Sequence, residues 1–102
     1  MSRFVEFVTY RVKDTPEEEF LRLRSAAVAA VEAAHPALVA VPVLARRPDG
    51  SWVDVWVYET EDDARAANED AANIPAFTDF ARVLEGVEIE AGAMPHLAIS
   101  PR

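Results

Sequence analysis

The stretch Trp52-Val53-Asp54-Val55-Trp56-Val57-Tyr58 carries large side chains on both sides of a two-residue alternation. In an extended chain Trp52, Asp54, Trp56 and Tyr58 share one face, while Val53, Val55 and Val57 share the other. A strand that is apolar on both faces belongs inside a sheet that is covered on both sides. Phe4 to Val12 makes the same demand, with Phe4, Glu6, Val8, Tyr10 and Val12 opposite Val5, Phe7, Thr9 and Arg11. Any fold for this chain must therefore cover two faces of one sheet.

Two helical regions are available to do it. Thr15, Pro16 and Glu18 read as N-cap, first-turn proline and capping-box acid. Phe20, Leu23, Ala27, Val31 and Ala34 follow at helical spacing, and Pro36 predicts a stop at His35. Thr60 with Asp63 opens a second helix carrying Ala64, Ala67, Asn68 and Ala71 along one side. Asn73-Ile74-Pro75 interrupts it, and Phe77, Phe80, Ala81 and Leu84 resume an apolar stripe. Gly86 is expected at the left-handed position after the helix end. Leu38 to Ala45 reads as a strand whose Pro42 places it on an edge or at a bulge. Pro48-Asp49-Gly50-Ser51 has the composition of a hairpin turn. Val87 to Ile99 is the last strand, with Gly92 and Pro95 pointing to bulges.

This order is the βαββαβ of a ferredoxin-like α+β fold with a four-stranded antiparallel sheet. Right-handed crossovers put the first and third strands in the centre and both helices on one face. A chain of 102 residues supports one such domain, spanning 1–102. The uncovered face would expose a large apolar patch, so a homodimer packed through its sheet faces is expected.

Composition narrows the function. With 10 basic against 18 acidic residues and a net charge of −8, a nucleic-acid partner is not expected. The absence of cysteine excludes a disulfide frame, a thiolate metal site and a cysteine nucleophile. His35 and His96 have no metal-ligand spacing, so no metal site is expected. Gly50, Gly86 and Gly92 are isolated and form no phosphate loop. Met1 to Phe7 holds no apolar signal core, and the run Ala26–Ala34 is broken by Glu32, so a cytoplasmic protein without a membrane partner is expected.

The strand Phe4–Val12 running into Thr-Pro-Glu-Glu-Glu-Phe, together with Tyr58-Glu59-Thr60-Glu61-Asp62-Asp63-Ala64, resembles the dimeric α/β-barrel proteins of the antibiotic biosynthesis monooxygenase type. The resemblance implies a dimer formed through the sheets and a ligand cleft between sheet and helices in each subunit. It also implies an orientation, because Tyr58 falls where many relatives have a cleft-facing Trp. Trp52, Asp54, Trp56 and Tyr58 would then face the helices, with Glu6, Val8 and Tyr10, and the valines would form the dimer core. Relatives that oxidise aromatic polyketide-like compounds work without a cofactor, and none is implied here. Val8 stands where some haem-degrading relatives carry Asn, and the second helical region has no His to ligate haem, so haem chemistry is not implied.

Carboxylates under aromatic cover acquire raised pKa values, which suits acid–base work. Glu6 and Asp54 are the carboxylates so placed, and Tyr58 and Asp54 are the candidate catalytic residues, as base or orienter. Glu6, Tyr10, Trp56, Asn68, Phe77 and Phe80 are the candidate substrate-binding residues for a flat apolar aromatic molecule. The same residues also fit a packed core with a carboxylate at its rim, so two functions stand. One is a cofactor-independent monooxygenase-like protein acting on or binding a phenol, quinol or anthrone. The other is a non-catalytic dimeric small-molecule-binding or interaction module of the same fold.

Overall fold

The computed structural model describes residues 2–96 and 98. The chain runs β1 (Ser2–Val12), α1 (Glu17–Ala34), β2 (Leu38–Arg46), β3 (Trp52–Tyr58), α2 (Glu61–Asp70), a 3-10 turn (Ala71–Asn73), α3 (Pro75–Ala81) and β4 (Leu84–Pro95). The sheet order is β2-β3-β1-β4 with every neighbouring pair antiparallel. The two double-sided strands occupy the centre, as their patterning requires. The Pro42 strand lies on an edge, and its pairing with β3 slips between Leu38 and Ala40 and again between Ala40 and Val43. A proline without an N–H in that stretch cannot complete a regular ladder.

Local chemistry sets the element ends. The Thr60 Oγ1 accepts from the Asp63 N–H at 3.1 Å, and its hydroxyl donates to Asp63 Oδ2 at 2.8 Å. The β2–β3 hairpin closes with Arg47 N–H to Ser51 O at 2.7 Å and Gly50 N–H to Arg47 O at 2.9 Å, and Gly50 takes φ +89°. The first helix begins differently from the expected capping box. Pro16, not Thr15, is the cap residue, since its carbonyl accepts the first helical bond from Phe20 at 3.0 Å, and no side chain caps it. Glu17, Glu18 and Glu19 still fill the first turn, where the helix dipole favours acids.

The last strand also departs from expectation. It starts at Leu84 and ends at Pro95, and Leu97 and Ile99 lie outside the described residues. Gly86, with φ +64°, does not terminate a helix. It sits in β4 where pairing with β1 shifts register between Thr9 and Arg11, so its conformational freedom serves a bulge. Gly92 marks no bulge; it pairs regularly with Val5, and a Cβ there would meet Phe7 Cε2 at 3.0 Å. The missing side chain lets the Phe7 ring lie against the strand.

Between sheet and helices the core forms two clusters. Trp56 and Tyr58 pack with Val31, Ala64, Ala67 and Ile74, and Tyr10 and Trp52 pack with Phe20, Ala27, Phe80 and Leu84. Burying one side chain such as Phe20 contributes roughly 1.5–3 kcal/mol. The face with Trp52, Asp54, Trp56 and Tyr58 is thus the one beneath the helices, and the valines take the open side. That open side is less bare than the pattern implies. Val5 and Val57 are buried within the subunit, whereas Phe7 is 43% exposed and Val43 of β2 is 45% exposed. Among the described residues no helix is long and apolar enough to cross a membrane.

Candidate functional site

A cavity of about 140 Å³ lies between the sheet and the α2–α3 segment. Its floor is Glu6, Val8 and Tyr10 of β1 with Asp54, Trp56 and Tyr58 of β3. Val31 of α1, Ala67 at the α2 end, Ala71 of the 3-10 turn, and Phe77, Phe80 and Ala81 of α3 form the roof, and Leu84 and Val87 of β4 close one side. Alanines on α2 leave the space that the floor aromatics only partly fill. An apolar cavity of roughly 150 Å³ accepts a benzene-sized molecule, so this one is of single-ring size.

Two buried carboxylates face this space, and their surroundings differ. Asp54 has no exposed surface and is saturated. Arg24 of α1 donates to it twice, Nη2 to Oδ1 at 2.8 Å and Nε to Oδ2 at 3.0 Å, and the Tyr10 hydroxyl donates to Oδ2 at 2.6 Å. A carboxylate bound by a guanidinium and a phenol in this way is an anchor between helix and sheet. Asp54 was expected as a base or orienter; its carboxylate is engaged by these protein donors, Arg24 and Tyr10. Burial, and then the Asp54 charge, hold the Tyr10 hydroxyl protonated far above its ordinary range.

Glu6 is the contrasting case, at 7% exposure. It accepts one hydrogen bond, from Asn68 Nδ2 at 2.8 Å, and among the described residues no cation pairs with it. Desolvation raises its pKa above the ordinary glutamate value of 4.5, and the Asn68 bond opposes this only in part. Tyr58 lines the cavity beside it; burial, together with the Glu6 charge, pushes the Tyr58 hydroxyl well above 10.

The structure brings Glu6, Tyr10, Asp54, Trp56, Tyr58, Phe77 and Phe80 to one cavity. Asn68 of α2 does not line it; its amide donates to Glu6, and it borders a neighbouring groove that shares Ala71, Phe77 and Ala81 with the cavity. Trp52 is elsewhere in the core, 4.9 Å from the Phe20 ring centroid and beneath the Arg46 guanidinium at 5.1 Å. His35 ends α1 and meets Asp70 Oδ2 at 2.9 Å, while His96 lies exposed in a turn after β4. Among the described residues no group of His, Cys, Asp or Glu is arranged to hold a metal ion. Arg24 is the residue that reading the sequence missed. Its position, four after Phe20 and three before Ala27, put a charge on the buried stripe, and such a charge requires a buried partner.

The fold and cavity define a ferredoxin-like α+β protein with a ring-sized apolar cavity under its helices. No protein-family model matches the sequence, and no curated protein matches it. Solved structures match its fold. A candidate antibiotic biosynthesis monooxygenase from Caulobacter crescentus is 18% identical, with TM-score 0.69 over 89% of this chain and 88% of that one. SnoaB, a cofactor-independent oxygenase from Streptomyces nogalater, is 25% identical with TM-score 0.63, covering 91% of this chain and 92% of its own. A NIPSNAP family protein of unknown function from Agrobacterium tumefaciens is 19% identical with TM-score 0.63, covering 89% and 86%. The chain shares the fold of antibiotic biosynthesis monooxygenase-type proteins.

Proposed function

We propose that the protein binds a small hydrophobic aromatic hydroxyl compound in the cavity and oxygenates it with dioxygen, without a cofactor. The observation that carries this reading is Glu6: a buried carboxylate, unneutralised by any described cation, at the wall of an aromatic cavity. Its raised pKa brings it closer to that of a phenol or enol, which favours proton transfer. Glu6 takes the proton from the ligand hydroxyl, and the electron pair stays on the ligand oxygen. The electron-rich ring then reduces dioxygen and forms a carbon–oxygen bond to it. Loss of the ring C–H proton with cleavage of the O–O bond gives a quinone and one water. The likeness in fold to a cofactor-independent oxygenase supports this choice among the chemistries open to a buried base.

Oxygen uptake with a panel of phenols, hydroquinones and anthrones tests the reading. Stoichiometric consumption by the wild type and a loss of at least about tenfold in Glu6→Gln are expected, roughly 1.4 kcal/mol at the barrier. Binding without uptake across the panel would leave the non-catalytic module as the function. The proposal includes a cytoplasmic two-fold dimer through the open sheet face, supported by exposed Phe7 and Val43 and by half-buried Val53 and Val55.

A further inference from the structure

Glu6 also borders a second space. An open groove between β1 and α2 is lined by Phe4, Glu61, Ala64, Arg65, Asn68 and Glu69, and Glu6 is the one residue it shares with the aromatic cavity. The groove carries the charged side chains of Glu61, Arg65 and Glu69, whereas the exposed lining of the cavity is almost wholly apolar. Asn68 stands in it, exposed, with its amide on Glu6 Oε2. The carboxylate therefore borders both a mostly apolar cavity and a depression open to solvent.

We propose that Glu6 is a two-sided proton carrier, taking a proton from the ligand on the cavity side and delivering it to solvent through the α2 groove, with Asn68 as the gate. The inference rests on the base role given to Glu6 above. The O–H bond of the ligand breaks, its electron pair remains on the ligand oxygen, and the proton resides on Glu6 until groove water removes it. Discharge by this side leaves the ligand in place, so the cavity need not open for the base to be regenerated. The ionisable groups that line the two spaces with Glu6 are Tyr10 of β1, Asp54 and Tyr58 of β3, and Glu61, Arg65 and Glu69 of α2, with Arg24 of α1 bound to Asp54. The residues of α1, α3 and β4 that line the cavity directly are apolar, among them Val31, Phe77, Phe80, Leu84 and Val87. Arg65 is engaged by Asp62 at 2.7 Å and does not neutralise Glu6.

The test uses para-nitrophenol, a single-ring probe whose colour reports its ionisation. The protein is saturated with it, jumped in pH by stopped flow, and the colour of the bound probe is compared with its separately measured dissociation rate. In the wild type the bound probe should respond roughly tenfold or more faster than it dissociates. Asn68→Leu, which plugs the groove, should slow the response to the dissociation rate. Asn68→Ala, which removes the same hydrogen bond but leaves the groove open, should keep it fast. Glu6→Gln should bind the probe and respond only at the dissociation rate. A wild-type response no faster than dissociation, or equal behaviour of Asn68→Leu and Asn68→Ala, overturns the route while leaving the cavity reading intact. Failure of the probe to bind the wild type overturns both.

Discussion

The guanidinium of Arg24 and the carboxylate of Asp54 meet across the core in a two-point contact, at 2.8 and 3.0 Å, with Asp54 fully buried. This pair joins α1 to the central strand β3, and the Tyr10 hydroxyl extends it to β1. Removing one partner of a buried pair leaves the other as an uncompensated charge, which costs about 3–5 kcal/mol. Arg24→Met should therefore destabilise the fold by that order, measured by denaturant unfolding. Arg24→Met/Asp54→Asn, which removes both charges, should recover part of the loss. If the double variant is no more stable than the single one, the pair does not act as the described anchor.

Glu6 carries a stability signature that separates it from the surface acids. Its folded-state pKa is raised above 4.5 by desolvation, so the folded state holds this proton more tightly than the unfolded chain does. Stability from this group is therefore highest below pH 4.5 and declines as pH rises from there through the folded-state pKa. Glu6→Gln, which keeps the shape and can still accept from Asn68, should have a higher melting temperature than the wild type at neutral pH. The difference should vanish below about pH 4.5. Asp49 and Asp70 act in the opposite sense, since their pKa values are lowered by Ser51 and His35 contacts and their contribution disappears in acid. A melting-point difference that is constant from pH 4 to 8 would remove Glu6 as a desolvated acid.

The strand order and the interruption at Asn73-Ile74-Pro75 were legible from patterning and connection rules, whereas the helix-facing side of β3 came from the family resemblance alone. Period-two patterning sorts residues onto two faces without saying which one the helices cover, and proline breaks helices and ladders. What was not legible depended on tertiary partners. Asp54 and Glu6 look alike in sequence, two single acids on one face of two neighbouring strands. They differ because Arg24 from a separate element saturates one and nothing described neutralises the other. Gly86 had the right conformation in the expectation and the wrong place, since a glycine at φ +64° serves a helix end and a β-bulge equally well. Asn68 was expected over the cavity; it is exposed on α2 and touches the carboxylate that lines the cavity.

The open sheet face yields a prediction about assembly. Val55 pairs with Phe7 on one side and Val43 on the other, and Phe7 and Val43 are the most exposed large apolar groups in that row. Val55→Asp would put a charge in the middle of a sheet-to-sheet contact. The wild type should scatter light as a dimer at micromolar concentration, and Val55→Asp should be a monomer or unfold. A monomeric wild type at that concentration excludes the dimer.

In the proposed reaction Tyr58, which lines the cavity with Glu6, is the hydroxyl that would answer the charge left on the ligand. It lines the cavity next to Glu6, and burial keeps it protonated, so at any working pH it is an O–H donor. Once Glu6 has taken the ligand's proton, the oxyanion left behind lies in a nearly apolar space and is stabilised most by a nearby donor. Before proton transfer the ligand is neutral and gains less from the same hydrogen bond. Tyr58→Phe should thus lower kcat about tenfold, near 1.4 kcal/mol, with a smaller change in KM. Trp56→Ala acts on another quantity: it removes a cavity wall, so binding should weaken, and stability should fall by about 3–5 kcal/mol. Steady-state oxygen uptake on the two variants separates these effects. If Tyr58→Phe raises KM and leaves kcat unchanged, Tyr58 orients the ligand in its ground state and takes no part in stabilising the oxyanion.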